Sequence, residues 1–172
     1  MPELTKNLVL TGMMGVGKST IGKILSQKLK LKLLDIDKII EKNEGQTIKN
    51  IFETKGESYF RKIEASNTLD ALLIQNSVIA LGGGAFLNPA LRRKIIDNTI
   101  SFWLDLKSEF IIRRIRNISD RPMLNKKNFK NEIKKISLER RKFYSMAKYR
   151  INCNGRNKIE IANKIREIYI ND

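Results

Sequence analysis

Apolar residues along this chain follow two alternating rhythms. The unbroken runs "LVLT" (8–11), "SVIAL" (77–81) and "TISFWLDL" (99–106) have the length of strands buried on both faces. "LKLLDID" (31–37) reads as another strand, closed by two acids, and "YRINC" (149–153) as a fifth. Between the strands the apolar positions spread to helical spacing: Ile21, Ile24, Leu25 and Leu29 recur at i, i+3, i+4 and i+8. "GQTIKNIFETKGESYFRKIEASNTLDALLIQ" is mostly helical, with Thr47 as N-cap and Gly56 as a break. "NPALRRKIID" (88–97) opens with Asn88 as N-cap and Pro89 at the first helical position. "KSEFIIRRIRN" predicts a helix behind the fourth strand. A polar, basic segment (118–128) broken by Pro122 then precedes a helix over 129–147. The last helix sets Ile161, Ile165 and Ile168 on one face.

Strands alternating with helices predict an α/β fold, a central five-stranded parallel sheet between two helical layers. No repeat or linker divides the chain, so residues 1–172 are expected to form a single domain. Ligands of such sheets bind beyond the carboxyl ends of the strands. The glycine loop after the first strand, the acid pair after the second and the glycine triplet after the third should therefore share one edge.

Composition narrows the chemistry. With no histidine, His-based acid–base catalysis and His-ligated zinc are excluded. A single cysteine, Cys153, leaves no internal disulfide and no Cys-rich metal site, and it reads as a half-buried strand residue. Carboxylates, Lys, Arg, Ser, backbone amides or a hard metal ion must do the work. No run reaches the ~18 apolar residues of a membrane span, and the N-terminus does not read as a signal peptide, so a cytoplasmic protein is expected. The net charge of +16 favours anionic partners. Lysine is spread along the chain without a block of like charge and no nucleic-acid-reading motif accompanies it, so nucleic acid is not the expected partner.

"GMMGVGKST" (12–20) fits the phosphate-loop pattern G-x-x-x-x-G-K-[ST], with a strand before it and a helix after. Gly12, Gly15 and Gly17 permit the turn, and the helix N-terminus after Gly17 adds partial positive charge. Lys18 is placed to reach the β- and γ-phosphates of ATP, and Ser19 to ligate Mg²⁺. Val16 and Thr20 complete the expected nucleotide contacts. The loop alone does not distinguish a kinase from a GTPase, but base-reading motifs are missing and the small size favours a phosphotransferase.

The acceptor is read from the remaining residues. Asp35 and Asp37 stand at i and i+2, so in extended backbone both face one side; the alternative is a solvated strand end with an Asp capping the next helix. Gly82, Gly83 and Gly84 leave backbone bare for a ligand, or form a permissive turn. In the 129–147 helix, Phe129, Ile133, Ile136 and Phe143 form a stripe that includes Arg140, and an inward ion must be paired or meet an anion. Arg61 has Glu64 one turn on, close enough to fix its guanidinium. Either arginine alone could be a structural ion pair; together with Arg121 they suggest a clamp for carboxylate or phosphate.

Glycine loop, "DID", "FRKIE", "GGG", "DRP" and the late Arg140 together resemble the shikimate kinase family, in order and spacing, across nearly the whole chain. The resemblance implies the P-loop kinase fold and ATP-dependent phosphorylation of the 3-hydroxyl of shikimate, by a monomer. It implies that Asp37 holds the acceptor hydroxyls and favours deprotonation of the attacking one. Arg61 and Arg140 would bind the shikimate carboxylate, Gly82 to Gly84 would line the ring, and Phe52 and Phe60 would supply apolar walls. The acceptor-binding helical segment would span about 36–64. Arg121 would belong to a lid at about 116–128, while Arg114 and Arg156 would flank adenine. The metal-side acid by resemblance is Asp35, acting through water, although Asp105 at the end of "ISFWLD" is the acid that a strand-end rule would choose. Two rivals remain at this stage: a gluconate or nucleoside monophosphate kinase of the same fold, and a nucleotide-dependent nucleic-acid-binding protein.

Overall fold

The computed structural model describes residues 6–115, 124 and 127–172. Five parallel strands form one sheet: β1 (Asn7–Thr11), β2 (Lys32–Asp35), β3 (Ser77–Ala80), β4 (Thr99–Asp105) and β5 (Tyr149–Asn152). Their order in space is β2-β3-β1-β4-β5. The central strand β1 pairs with β3 on one side, as Leu10 opposite Ala80, and with β4 on the other, as Thr11 opposite Trp103. From β1 the chain builds outward to β2 and back to β3, then reverses to lay down β4 and β5. The carboxyl end of β1 is therefore the switch point at which such sheets open a crevice.

Among the described residues seven α-helices occupy the connections: α1 (Lys18–Leu29), α2 (Ile36–Glu44), α3 (Ile48–Leu72), α4 (Pro89–Asn98), α5 (Ser108–Arg114), α6 (Phe129–Tyr144) and α7 (Lys158–Asn171). A short 3₁₀ turn, Ala85–Leu87, follows the glycine triplet. Strands β1, β3 and β4 are buried along their whole length, which accounts for their continuous apolar runs. Ile161 and Ile165 of α7 are buried and Ile168 is half-buried, as the one-faced spacing predicts. Among the described residues no helix is long and apolar enough to cross a membrane.

Local signals set the boundaries. The Thr47 side chain accepts from the Asn50 amide at 3.2 Å and opens α3. Gly56 (φ 81°, ψ 171°) kinks that helix at the expected break. Asn88 accepts from the Leu91 amide at 3.1 Å, with Pro89 at the first helical position of α4. The helix expected over 129–147 ends at Tyr144, three residues early.

One expectation is overturned. The strand read over 31–37 stops at Asp35, and Ile36 already begins α2. Asp35 is the N-cap, its Oδ1 accepting from the Lys38 amide at 3.4 Å, while Asp37 lies in the first turn of the helix. The two acids thus share no extended face. A short polar acid competes for free amides at a helix start, and here that local preference wins over the extended pattern.

Candidate active site

The loop between β1 and α1 is held by three glycines in left-handed backbone, Gly12 (φ 140°), Gly15 (φ 74°) and Gly17 (φ 104°). A side chain on Gly12 would also press to within 2.8 Å of the Leu104 carbonyl oxygen. Lys18 is nearly buried, and its ammonium donates to the carbonyls of Gly12 (2.6 Å) and Met13 (2.9 Å). That arrangement curls the loop around the ammonium and leaves its amides at the N-terminus of α1, the geometry in which helix ends hold phosphate.

A cleft of about 750 Å³ opens from this loop across the carboxyl edge of the sheet. Its donor end is lined by Gly15, Gly17, Lys18, Ser19 and Thr20, together with Asp35. Its far end is lined by Asp37, Phe52, Phe60, Arg61, Gly83, Gly84 and Arg140. The rings of Phe52 and Phe60 lie 4.7 Å apart and make the apolar wall.

Arg61 donates to Glu64 Oε2 at 2.8 Å and more weakly to Glu57 at 3.4 Å, so α3 itself orients the guanidinium. Arg140 is buried on α6 and donates to the Gly83 carbonyl at 3.1 Å. Glu64 is buried too, and burial raises its carboxyl above the usual value; Arg61 opposes that rise, Asp37 adds to it, and Arg140 opposes it. Glu64 Oε1 makes no hydrogen bond among the described residues.

The glycine triplet serves this charged cluster. A Cβ on Gly82 would overlap Glu64 Oε1 and come within 2.9 Å of Asp37 Oδ1. On Gly84 it would overlap the Arg61 guanidinium, with Cζ at 2.7 Å. None of the three has positive φ, so at Gly82 and Gly84 bare backbone is required by close approach and not by turn geometry, whereas a Cβ on Gly83 would meet its nearest neighbours only at 3.5 Å. Sequence reading assigned that space to a ligand; much of it is taken by the protein's own carboxylates and guanidinium.

Two acids competed for the metal side. Asp105 is neutralised by Arg141 at 3.1 Å and by Arg150 at 2.6 Å, and it lies outside the cleft lining. Both guanidinia also cover the Trp103 ring, at 4.9 and 5.2 Å. Asp35, by contrast, borders the cleft, and its buried Oδ2 has no hydrogen-bond partner among the described residues. A buried carboxylate oxygen without a donor, in a cleft that Ser19 also lines, is chemistry that fits a hard cation.

Other expected residues fall outside the lining. Gly12 lies beneath Lys18, and Val16 is buried in the core. Arg114 donates to the Val16 carbonyl at 3.2 Å, bracing the loop from outside, and Arg156 is exposed after β5. Gly82 is screened by Glu64 and Asp37. Arg121, and the lid region apart from positions 124, 127 and 128, lie outside the described residues. Cys153, expected as a half-buried strand residue, is fully buried just after β5, its thiol pushed up to about 12, chiefly by burial.

Sequence reading missed Tyr144. The inward stripe of α6 passes from Ile133 and Arg140 to Tyr144, which is 1% exposed, and leaves Phe143 half-buried between Arg92 and Lys142. The Tyr144 hydroxyl donates to the Gly83 carbonyl at 2.5 Å. The i+4 step from Arg140 was the available signal. Glu41, whose carboxylate accepts the Ile48 amide at 3.1 Å, also lines the cleft, as does Lys49.

A family model described as shikimate kinase matches residues 14–169. The chain belongs to the shikimate kinase family. A shikimate kinase from Persephonella marina is 42% identical over 93% of this chain and 96% of its own. The solved shikimate kinase from Acinetobacter baumannii, in complex with shikimate, superposes with a TM-score of 0.92 at 30% identity, covering 96% of this chain and 93% of that one. A gluconokinase from Sinorhizobium meliloti shares the fold alone, with a TM-score of 0.59 at 13% identity over 96% and 92% of the two chains. As a member of the shikimate kinase family the chain is a kinase, and the reaction of that family is ATP-dependent phosphorylation of shikimate in the shikimate pathway.

Proposed function

We propose that this chain transfers the γ-phosphoryl group of ATP to the 3-hydroxyl of shikimate, with the residue roles that follow. The observation that carries the reading is one cleft with a phosphate loop at one end and, at the other, two oriented guanidinia flanking a glycine triplet. Arg61 and Arg140 bind the shikimate carboxylate, which fixes the ring with its hydroxyls toward the loop. Phe52, Phe60 and the Gly83–Gly84 backbone enclose the ring, with Gly82 behind Glu64 and Asp37. Asp37 receives the hydroxyl proton as the oxygen attacks the γ-phosphorus, and the bond from phosphorus to the bridging oxygen breaks to release ADP.

Gly15, Gly17, Ser19 and Thr20 offer amides to the phosphates, and Lys18 turns its ammonium toward them in place of the Gly12 and Met13 carbonyls. Ser19 and Asp35 would hold Mg²⁺, Asp35 through water; bound there, the ion neutralises phosphate charge. Arg121, from the lid, adds a further cation at the phosphates, and Arg114 and Arg156 flank adenine. We place the enzyme in the cytoplasm as a monomer, with no nucleic-acid or membrane partner.

A coupled assay of ADP release tests the reading, with ATP and Mg²⁺ plus shikimate, gluconate, nucleoside monophosphates or RNA in separate reactions. Release stimulated by shikimate alone, with the product phosphorylated at the 3-hydroxyl, is the expected result. Stimulation by another acceptor, or by polynucleotide, overturns it.

A further inference from the structure

We propose that Tyr144 is a positioning residue for acceptor binding, acting through the Gly83 carbonyl on Arg140; this rests on the functional reading above. Tyr144 follows Arg140 by one turn of α6, and both side chains are buried. Both donate to the same oxygen, Tyr144 Oη at 2.5 Å and Arg140 Nη1 at 3.1 Å. The two lone pairs of that carbonyl are thereby used, and the glycine loop is tied to the helix at the point where the guanidinium enters the cleft. The same hydroxyl lies 3.9 Å from the Met13 sulfur, within the phosphate loop. A phenylalanine would fill the ring's volume equally well, so packing does not explain the hydroxyl. Burial raises the Tyr144 phenol above its usual range, chiefly by desolvation, and keeps it a neutral donor wherever the enzyme works.

Loss of the hydroxyl frees one lone pair of the Gly83 carbonyl and lets the guanidinium and loop shift together. Arg140 is the group that meets the acceptor, so the cost appears in shikimate binding and not in ATP binding. The test is Tyr144→Phe, once native shikimate phosphorylation has been measured; without that activity the functional reading fails and this proposal is not reached. The shikimate KM rises about tenfold, the value of one hydrogen bond to a group coupled to a charge, while the ATP KM stays within about twofold. In an Arg140→Ala background the same change adds nothing. Site-specific fluorotyrosine at 144, which ionises more readily, brings a basic limb of shikimate KM to lower pH. An unchanged shikimate KM in Tyr144→Phe, equal loss in both backgrounds, or equal loss for ATP and shikimate overturns the proposal.

Discussion

The two ends of the cleft are built in opposite ways. The donor end is drawn mainly from one contiguous loop within residues 12–20, with Asp35 also lining it, and in the proposed scheme its binding groups are mostly backbone amides shaped by three left-handed glycines. The acceptor end is assembled from α2, α3, the glycine triplet and α6, and its binding groups are side chains. Contiguous backbone recognises what all nucleotides share. Converging side chains suit one small acid in the proposed scheme, and each depends on the others: Glu64 orients Arg61, Gly82 makes room for Glu64, and Gly83 anchors Arg140. Damage to the donor end should therefore be local, whereas damage at the acceptor end should propagate.

Asp37→Asn gives the largest separation of the two ends. It keeps the side-chain shape and removes the proton acceptor, so kcat falls about 10³-fold while ATP binding, measured by calorimetry, is retained. Full activity in this variant removes Asp37 from the proton transfer. Arg140→Ala comes next, raising the shikimate KM about 100-fold with little change for ATP, because a buried cation that meets a carboxylate is lost. Equal changes in both KM values would show that the ends are not independent.

Gly82→Ala tests propagation directly, since the added methyl touches neither substrate yet displaces Glu64 and Asp37. The expected loss is about tenfold in kcat/KM for shikimate, consistent with overpacking of roughly 1–3 kcal/mol shared between stability and site geometry. Unchanged kinetics would mean that the carboxylates have room to move. The smallest effect is with pH. The Glu64 carboxyl titrates above its ordinary value of 4.5. Protonation on acidification releases Arg61, so the shikimate KM rises a few-fold as pH falls through that elevated pKa. Stability moves the other way: the folded state holds the proton more tightly than the unfolded chain, so Glu64 costs stability above its folded pKa, and the cost fades as pH falls toward 4.5. Glu64→Gln should flatten both profiles; parallel profiles of KM and urea midpoint that persist in the variant would assign them to another group.

This contrast also governs what could be read in the sequence. Phosphate loop, alternating elements and caps at Thr47 and Asn88 are local, and spacing reveals them. Arg61 and Glu64 were legible because one helical turn separates them. Asp37 was assigned extended backbone, whereas Asp35, the acid that ends the strand, is also the N-cap that starts a helix. Tyr144 was passed over for Phe143: both are aromatic, and one residue turns a helix by about 100°, enough to decide which ring faces inward. The crowding around Gly82 and Gly84 depends on side chains from α2 and α3, and no pattern within the triplet encodes it.

Trp103 is the chain's only tryptophan, buried on β4 beneath Arg141 and Arg150 and 6.4 Å from the Tyr144 ring. It therefore serves as a built-in optical reporter. Guanidinium charge over the indole face tunes its emission, and any movement of α6 during acceptor capture shifts those charges. Fluorescence titration of the unlabelled enzyme can follow shikimate capture without turnover, separately from filling of the nucleotide end.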